Sequence, residues 1–239
     1  MQVFAVKESR VEEPINTSPV NPLPPVVVLL VAAMLLLEAA FSLGREGLIG
    51  GAQAVGWRSE AIQTYGFSNR AFSWMVENRV FNFDYALRLF TFPYIHGGFT
   101  QTLFGVVMTL ALGKFVGEKL HQVAVLALFV VPAALGAAIY GLVLPDGPGL
   151  IGAFPGVYGL IGGFTYLIWL RLGEIGEKQS QAFSLIGLLL FIQLIFAVFF
   201  GTDSTWLADV TGFVAGFGLS FFLSPGGWRK IREKLQQRS

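Results

Sequence analysis

The sequence predicts an all-α membrane protein with six transmembrane helices. Of its 239 residues, 54% are hydrophobic and only 13% are charged, whereas charged residues make up roughly 25% of an ordinary soluble domain. Six apolar stretches are long enough to cross about 30 Å of hydrocarbon at about 1.5 Å per residue. They cover residues 24–43, 92–111, 123–144, 150–170, 182–200 and 206–223.

The composition also excludes several classes of site. The chain has no Cys, which rules out disulfides, thiolate catalysis and cysteine-based zinc sites. Its two His residues are too few for a His-rich metal centre. A net charge of +1 gives no sign of a nucleic-acid partner. We therefore expect no metal, no cofactor and no nucleic acid.

The Lys and Arg residues predict the orientation of the helices. Five of the 16 Lys and Arg residues lie between the first two predicted helices, and the other eleven lie in the two tails and in the loops that share a side with them. The positive-inside rule then places both termini in the cytoplasm. We expect a flexible tail at residues 1–23, a basic tail at 226–239, and a bacterial inner membrane as the location.

Residues 44–91 form a long outer loop within the predicted membrane domain, which spans residues 24–225. The loop mixes nine aromatic residues with five Arg, a combination typical of the headgroup layer. We expect short amphipathic helices that lie on or partly in the outer leaflet.

Four motifs follow one another along the predicted elements. Trp57 and Arg58 lie in the first loop, the second helix begins HGGFTQTLFG, the fourth contains GAFPGVYGLIGG, and the sixth contains ADVTGFVAGFG. In order and spacing they resemble motifs of the rhomboid family of intramembrane serine proteases. These are a Trp-Arg pair, His-x-x-x-x-His-x-x-x-Asn, Gly-x-Ser-Gly, and a His before closely spaced glycines. The resemblance covers residues 24–225 and implies a rhomboid-like bundle of six helices with a large first loop.

The chain departs from these motifs where the family carries its catalytic groups. Phe154 occupies the position of the nucleophilic Ser, and Asp209 occupies that of the general-base His. Gln101 and Gly105 replace the His and Asn that help to hold the oxyanion. A phenyl ring has no nucleophilic atom, so the resemblance implies a catalytically inactive pseudoprotease.

Two acidic residues in the predicted helices need partners, because a charge within a membrane is costly. Asp209 either engages a client helix or a proton, or accepts hydrogen bonds from groups around it. Thr211, Tyr158 and His96 are the candidates for those groups. By the resemblance, Tyr158 matches an aromatic residue that packs beside the catalytic His.

Glu38 is the second acidic residue, near the outer end of the first helix. It either pairs with Arg45 or Arg58 or lies in a wet cavity. The resemblance makes His96 a structural histidine that ties the second helix to the first loop. Together with Trp57, these residues are our structural or client-binding candidates.

Small residues predict close packing between the fourth and sixth helices. Glycines spaced four apart let two helix backbones approach each other. The predicted pairs are Gly152 with Gly156, Gly159 with Gly163, and Gly212 with Gly216.

Three functions stay open at this point. The first is a non-catalytic protein that binds transmembrane segments or partner subunits. The second is an active intramembrane serine endopeptidase with a rearranged site, in which Ser204 or Thr205 is the nucleophile and Asp209 or His96 is the base.

The third is a channel or transporter that uses Glu38, Asp209 and Gln193 as a polar path. The sequence shows no internal repeat, which argues against that function. We expect membrane lipids and transmembrane clients or subunits as partners, and the oligomeric state stays open.

Overall fold

The computed structural model describes residues 22–200 and 204–224, without the side chains of residues 193, 194 and 196–200. The predicted tails thus lie outside the described residues, apart from residues 22 and 23, and so does the side chain of Gln193. All regular secondary structure in the described part is helical, and no strand occurs there. Its α-helices are α1 (Pro25–Arg45), α2 (Trp57–Tyr65), α3 (Asn69–Glu77), α4 (Phe83–Thr91), α5 (Phe99–Gly117), α6 (Gln122–Val143), α7 (Phe154–Glu174), α8 (Ser184–Phe200) and α9 (Trp206–Leu223). The predicted all-α membrane fold is confirmed.

Four helices of the described residues are long and apolar enough to cross a membrane, namely α1, α5, α6 and α9. The other two predicted crossings are also helices. α7 has 21 residues, but its glycines and Arg171 make it less apolar. α8 has 17 residues, slightly fewer than the ~20 that a straight crossing requires.

Two predicted helices begin later than their apolar stretches suggested. The stretch at 92–111 starts with a short 3-10 helix, Phe92–Tyr94, and α5 begins only at Phe99. The stretch at 150–170 starts in a loop, because Gly152 has a φ of +94°, a left-handed conformation that a helix does not contain. In both places apolar side chains precede the helix in the sequence, and they extended the predicted crossing beyond the helix.

α7 is the centre of the bundle and packs against α5, α6 and α9, while α1 packs mainly against α5. The core between these helices is built from Val, Leu, Ile and aromatic side chains. Burial of this core requires the helices to approach one another closely, because α7 has neighbouring helices on several faces. Its glycines allow this approach, as described below.

The loop at 44–91 folds onto the end of the bundle as α2, α3 and α4. The Ser73 hydroxyl donates to the Gly141 carbonyl at 2.7 Å, and the backbones of Phe67 and Leu150 exchange two hydrogen bonds of 3.0 Å each. These contacts fix the first loop to α6 and to the loop before α7.

The outer side of α4 is an exposed apolar stripe. Phe83, Leu87 and Phe90 lie on one face of this helix, at spacings of four and three residues, and all three are exposed. Side chains at these spacings share one face of a helix. An exposed apolar stripe next to transmembrane helices is expected to lie in lipid, as the sequence predicted for this loop.

Candidate functional site

The chemistry-bearing residues named from the sequence lie at one end of the bundle, where α5, α7 and α9 begin. Phe154 is the first residue of α7, Gln101 lies in the first turn of α5, and Asp209 lies in the first turn of α9. The start of α7 lies between the other two helices. A Cβ on Gly105 of α5 would lie 3.4 Å from Ala153 Cβ, and one on Gly212 of α9 would collide with the Pro155 carbonyl.

His96 lies just before α5 and is 2% exposed. Its Nδ1 is 3.3 Å from the Tyr94 carbonyl oxygen, and the backbone N–H of Ala153 donates to its Nε2 at 3.3 Å. A carbonyl only accepts and an N–H only donates, so the proton is assigned to Nδ1 and the ring is neutral. Burial lowers the pKa of His96 below its ordinary value of 6.5, because the charged form is poorly solvated there.

Gln101 connects the loop before α5 to the loop before α7. Its Oε1 accepts a hydrogen bond of 2.8 Å from the backbone N–H of Gly97, and its Nε2 donates to the Ile151 carbonyl at 3.3 Å. Gly152 leaves room for the amide, because a Cβ there would lie 2.6 Å from Nε2. Both ends of the side chain are therefore engaged with backbone.

Gly105 lies against the ring of His96. A Cβ at this position would lie 3.1 Å from His96 Nε2, closer than most carbon contacts in proteins. The atom of His96 that would be crowded is the one that binds the Ala153 N–H. A longer side chain at 105 would therefore displace the histidine.

Phe154 and Asp209 occupy similar places on their helices. The ring of Phe154 is half-buried, and Asp209 is 9% exposed. The free N–H groups of a first helical turn stabilise a carboxylate. Tyr158 is buried one turn further along α7. Ser204 and Thr205 directly precede α9 and are half-buried.

A buried ion pair lies nearby, between Glu38 of α1 and Arg58 of α2. Arg58 donates to both carboxylate oxygens, at 2.7 and 2.9 Å, and also to the His96 carbonyl at 2.9 Å. The hydroxyls of Ser42 and Thr102 donate to the same carboxylate, each at 2.7 Å. The cluster thus joins α1, α2, the segment before α5 and α5 itself.

The other partner considered for Glu38, Arg45, lies elsewhere. It forms an exposed ion pair with Glu46 at 3.3 Å. Ser42 was not predicted to join this cluster, although it follows Glu38 by one helical turn and so shares its face. Trp57 supports the turn after α1, because Cβ atoms on Gly44 or Gly50 would meet its ring.

The glycines of α7 and α9 allow these two helices to pack closely. A Cβ on Gly216 of α9 would collide with the Gly159 carbonyl, and one on Gly162 would collide with the Phe213 carbonyl. α7 and α9 therefore approach closely, and Gly162 contributes although the sequence analysis did not single it out. Gly152, expected to share a helix face with Gly156, instead lies in the loop before α7.

Three glycines of α7 also lie against α6. Cβ atoms on Gly156, Gly159 and Gly163 would meet Phe129, Leu128 and Pro132. Pro132 lacks an N–H, so it leaves the Leu128 carbonyl without its usual helical donor, and Gly159 faces that carbonyl.

Comparison with known protein families decides the identity of this bundle. The Rhomboid domain family model matches residues 84–226, well over half of the chain, from α4 to just beyond α9. This chain belongs to the rhomboid family. No curated protein matches it. As a rhomboid with apolar helices of membrane-spanning length, it is an integral membrane protein.

The matched residues of this rhomboid do not include Trp57 and Arg58. The resemblance drawn from the sequence extended back to residue 24 and used that pair as its first motif, whereas the family model begins at residue 84. In the structure, Arg58 neutralises the charge of Glu38, a role that does not depend on the family motif.

Proposed function

We propose that this rhomboid is a pseudoprotease that binds transmembrane segments of client proteins or partner subunits without cleaving them. The observation that carries the proposal is Phe154 at the start of α7, where the family resemblance places the nucleophilic Ser. A phenyl ring has no lone pair or proton with which to attack a carbonyl and form an acyl-enzyme.

The neighbouring groups support the same proposal. Both ring nitrogens of His96 are engaged with backbone, so neither is free to activate a hydroxyl. The Gln101 amide donates to a carbonyl of its own chain, and Gly105 has no side chain to donate. An oxyanion needs donors directed at the position where it forms, and these residues supply none from their side chains.

The binding part of the proposal rests on α5 and α8. Both helices contribute to the main core, through Val106 and Ile186 among others. Each also leaves an apolar face exposed, with Phe104 and Val107 on α5 and Leu188 and Phe191 on α8. Because lipid tails are as apolar as these side chains, a client helix would be held there by packing and by displacing lipid.

Photo-crosslinking tests the binding. p-Benzoylphenylalanine at Phe104 or Phe191 changes an exposed ring only slightly, and the same residue at Leu36, exposed on α1, is the control. We expect membrane proteins to be trapped from native membranes at positions 104 and 191 and not at 36. Equal trapping at all three positions would reject α5 and α8 as the binding face.

A fluorophosphonate probe tests the inactive assignment separately. Such probes label an activated serine, so the purified protein should remain unlabelled beside an active rhomboid. Labelling that disappears in Ser204→Ala would instead support the alternative function, an atypical serine endopeptidase. The variant Ser42→Ala is the control, because that hydroxyl is committed to Glu38.

We further propose a bacterial inner membrane as the location, with both termini in the cytoplasm. The excess of Lys and Arg in the tails and in two loops supports the orientation. A green fluorescent protein fused to the C-terminus should fluoresce, and alkaline phosphatase fused there should be inactive. A dark green fluorescent protein fusion together with an active alkaline phosphatase fusion would place the C-terminus outside the cytoplasm and reject the proposed orientation.

A further inference from the structure

A cavity of about 470 Å³ lies between the first loop and the loop that precedes α7. Its lining includes Asn69, Arg70, Arg88 and Asp146 together with backbone of both loops. A volume of this size is typical of small-molecule sites. It is separate from the residues at the starts of α5 and α9 that the proposed function uses.

Two buried polar atoms of this lining have no hydrogen-bond partner among the described residues. Asn69 is 1% exposed, and its Nδ2 donates to the Leu144 carbonyl at 2.7 Å. That bond fixes the amide orientation and leaves Oδ1 as an unused acceptor. Arg88 has an unused donor at Nε. Buried polar groups are normally satisfied, and here two residues of the cavity lining have hydrogen-bonding capacity that the described residues leave unused.

The charges define the ligand further. Arg70 and Asp146 neutralise each other in an ion pair of 2.9 Å, with both side chains 84% exposed. Arg88 has no carboxylate within ion-pair distance in the described part of the chain. The cavity therefore carries a net positive charge and favours an anion that also bears a hydrogen-bond donor for Asn69.

The position of Arg88 points to the source of that anion. Arg88 lies on α4 directly after Leu87, a member of the exposed apolar stripe of this helix. An Arg beside an apolar stripe that lies in lipid is well placed to meet anionic headgroups. A phosphate diester accepts charge-assisted hydrogen bonds from Arg, and a hydroxyl on its headgroup donates to Asn69.

We infer that this cavity binds the phosphodiester headgroup of an anionic membrane phospholipid that carries a hydroxyl group. Arg88 binds the phosphate and Asn69 Oδ1 accepts from the hydroxyl. The inference is independent of whether this rhomboid cleaves proteins.

Native mass spectrometry of the full-length protein in detergent tests the inference with three dioleoyl lipids. All three carry a phosphate diester. Phosphatidylglycerol has a net negative charge and a hydroxyl, phosphatidylmethanol has the net charge alone, and phosphatidylcholine has neither, because its quaternary ammonium balances its phosphate. We expect phosphatidylglycerol to be retained about tenfold better than phosphatidylcholine, because the Arg88 charge favours a net anion and the hydroxyl adds a hydrogen bond, with phosphatidylmethanol in between. Equal retention of all three would overturn the inference.

Variants then locate the binding. Arg88→Gln should lower retention of phosphatidylglycerol to that of phosphatidylcholine, while Arg45→Gln, which removes an exposed charge at the same end of the bundle, should leave it unchanged. Equal losses in the two variants would place the lipid elsewhere. The three-lipid comparison needs no substitution, so equal retention of the three lipids would overturn the inference even if Arg88→Gln does not fold.

A soluble ligand is distinguished in the same experiment. Glycerol 3-phosphate carries a phosphate and hydroxyls but no acyl chains. It should fail to displace phosphatidylglycerol at equal concentration, because it lacks the acyl chains that add apolar contacts with the protein. Displacement at equal concentration would assign the cavity to a free phosphate compound rather than to a lipid.

Discussion

Arg58 binds Glu38 through both of its terminal nitrogens, with Nη2 donating to Oε1 at 2.7 Å and Nη1 donating to Oε2 at 2.9 Å. Ser42 and Thr102 complete the coordination of the carboxylate. A carboxylate near the end of a transmembrane helix is thus satisfied by protein groups alone, which favours a structural role over the polar path of a transporter.

Removing one side of this pair should destabilise the protein. Glu38→Ala leaves the Arg58 guanidinium without its anion. The Arg58 side chain is only 18% exposed, and breaking a buried ion pair lowers the free energy of unfolding by about 3 kcal/mol. Thermal unfolding in detergent measures the change. The control is Glu46→Ala, which removes the partner of the exposed Arg45 and should change stability by no more than about 0.5 kcal/mol. Equal shifts in the two variants would contradict a stabilising role for the buried pair.

Acid should destabilise the protein through His96. Its pKa is lowered in the folded state by burial, so the unfolded chain binds a proton more readily. The stability due to the neutral ring is therefore complete above the ordinary pKa of 6.5 and is lost as the pH falls through the lower folded value. Unfolding temperatures at pH 7.5 and 5.5 should differ less in His96→Gln than in the wild type. His121→Gln, at an exposed position, should keep the wild-type difference.

A methyl group between α7 and α9 should disrupt the bundle. Gly216→Ala would bring its Cβ against the backbone carbonyl of Gly159, and overpacking of this kind destabilises by about 1–3 kcal/mol. Gly218→Ala on the same helix meets nothing within 4 Å and should be neutral or slightly stabilising, because Ala favours helix. The measurement is again thermal unfolding, and similar results for both variants would reject close packing at Gly216.

Restoring the two missing dyad residues should not restore an efficient protease. In Phe154→Ser with Asp209→His, the Gln101 amide is still engaged with Ile151 and position 105 still has no donor. Loss of one oxyanion donor alone slows acyl transfer about 10²–10³-fold. Fluorophosphonate labelling of the double variant should be at least about 100-fold slower than that of an active rhomboid, and a comparable rate would show that these donors are dispensable.

Hydropathy located the helices but not where two of them begin. The segment from Phe92 to Gly98 begins with apolar and aromatic side chains that extended the predicted crossing. Pro93 and the Gly97–Gly98 pair favour a turn there, but the 3-10 turn and the placement of His96 are fixed by the tertiary structure. The same is true of the loop before α7, where a left-handed Gly152 and the pairing of Leu150 with Phe67 hold the chain out of the helix. Apolar residues indicate burial but not helix, because loops of a membrane protein can be buried too.

The amino-acid sequence by itself determined the all-α membrane class, the rhomboid resemblance and the replacement of catalytic side chains, because these depend on which residues occur and in what order. The tertiary structure decided which of Arg45 and Arg58 pairs with Glu38, which glycines of α7 face α6 or α9, and that Asn69 and Arg88 share a cavity. Such outcomes depend on distances between residues far apart in the chain, and these are set only when the helices pack together.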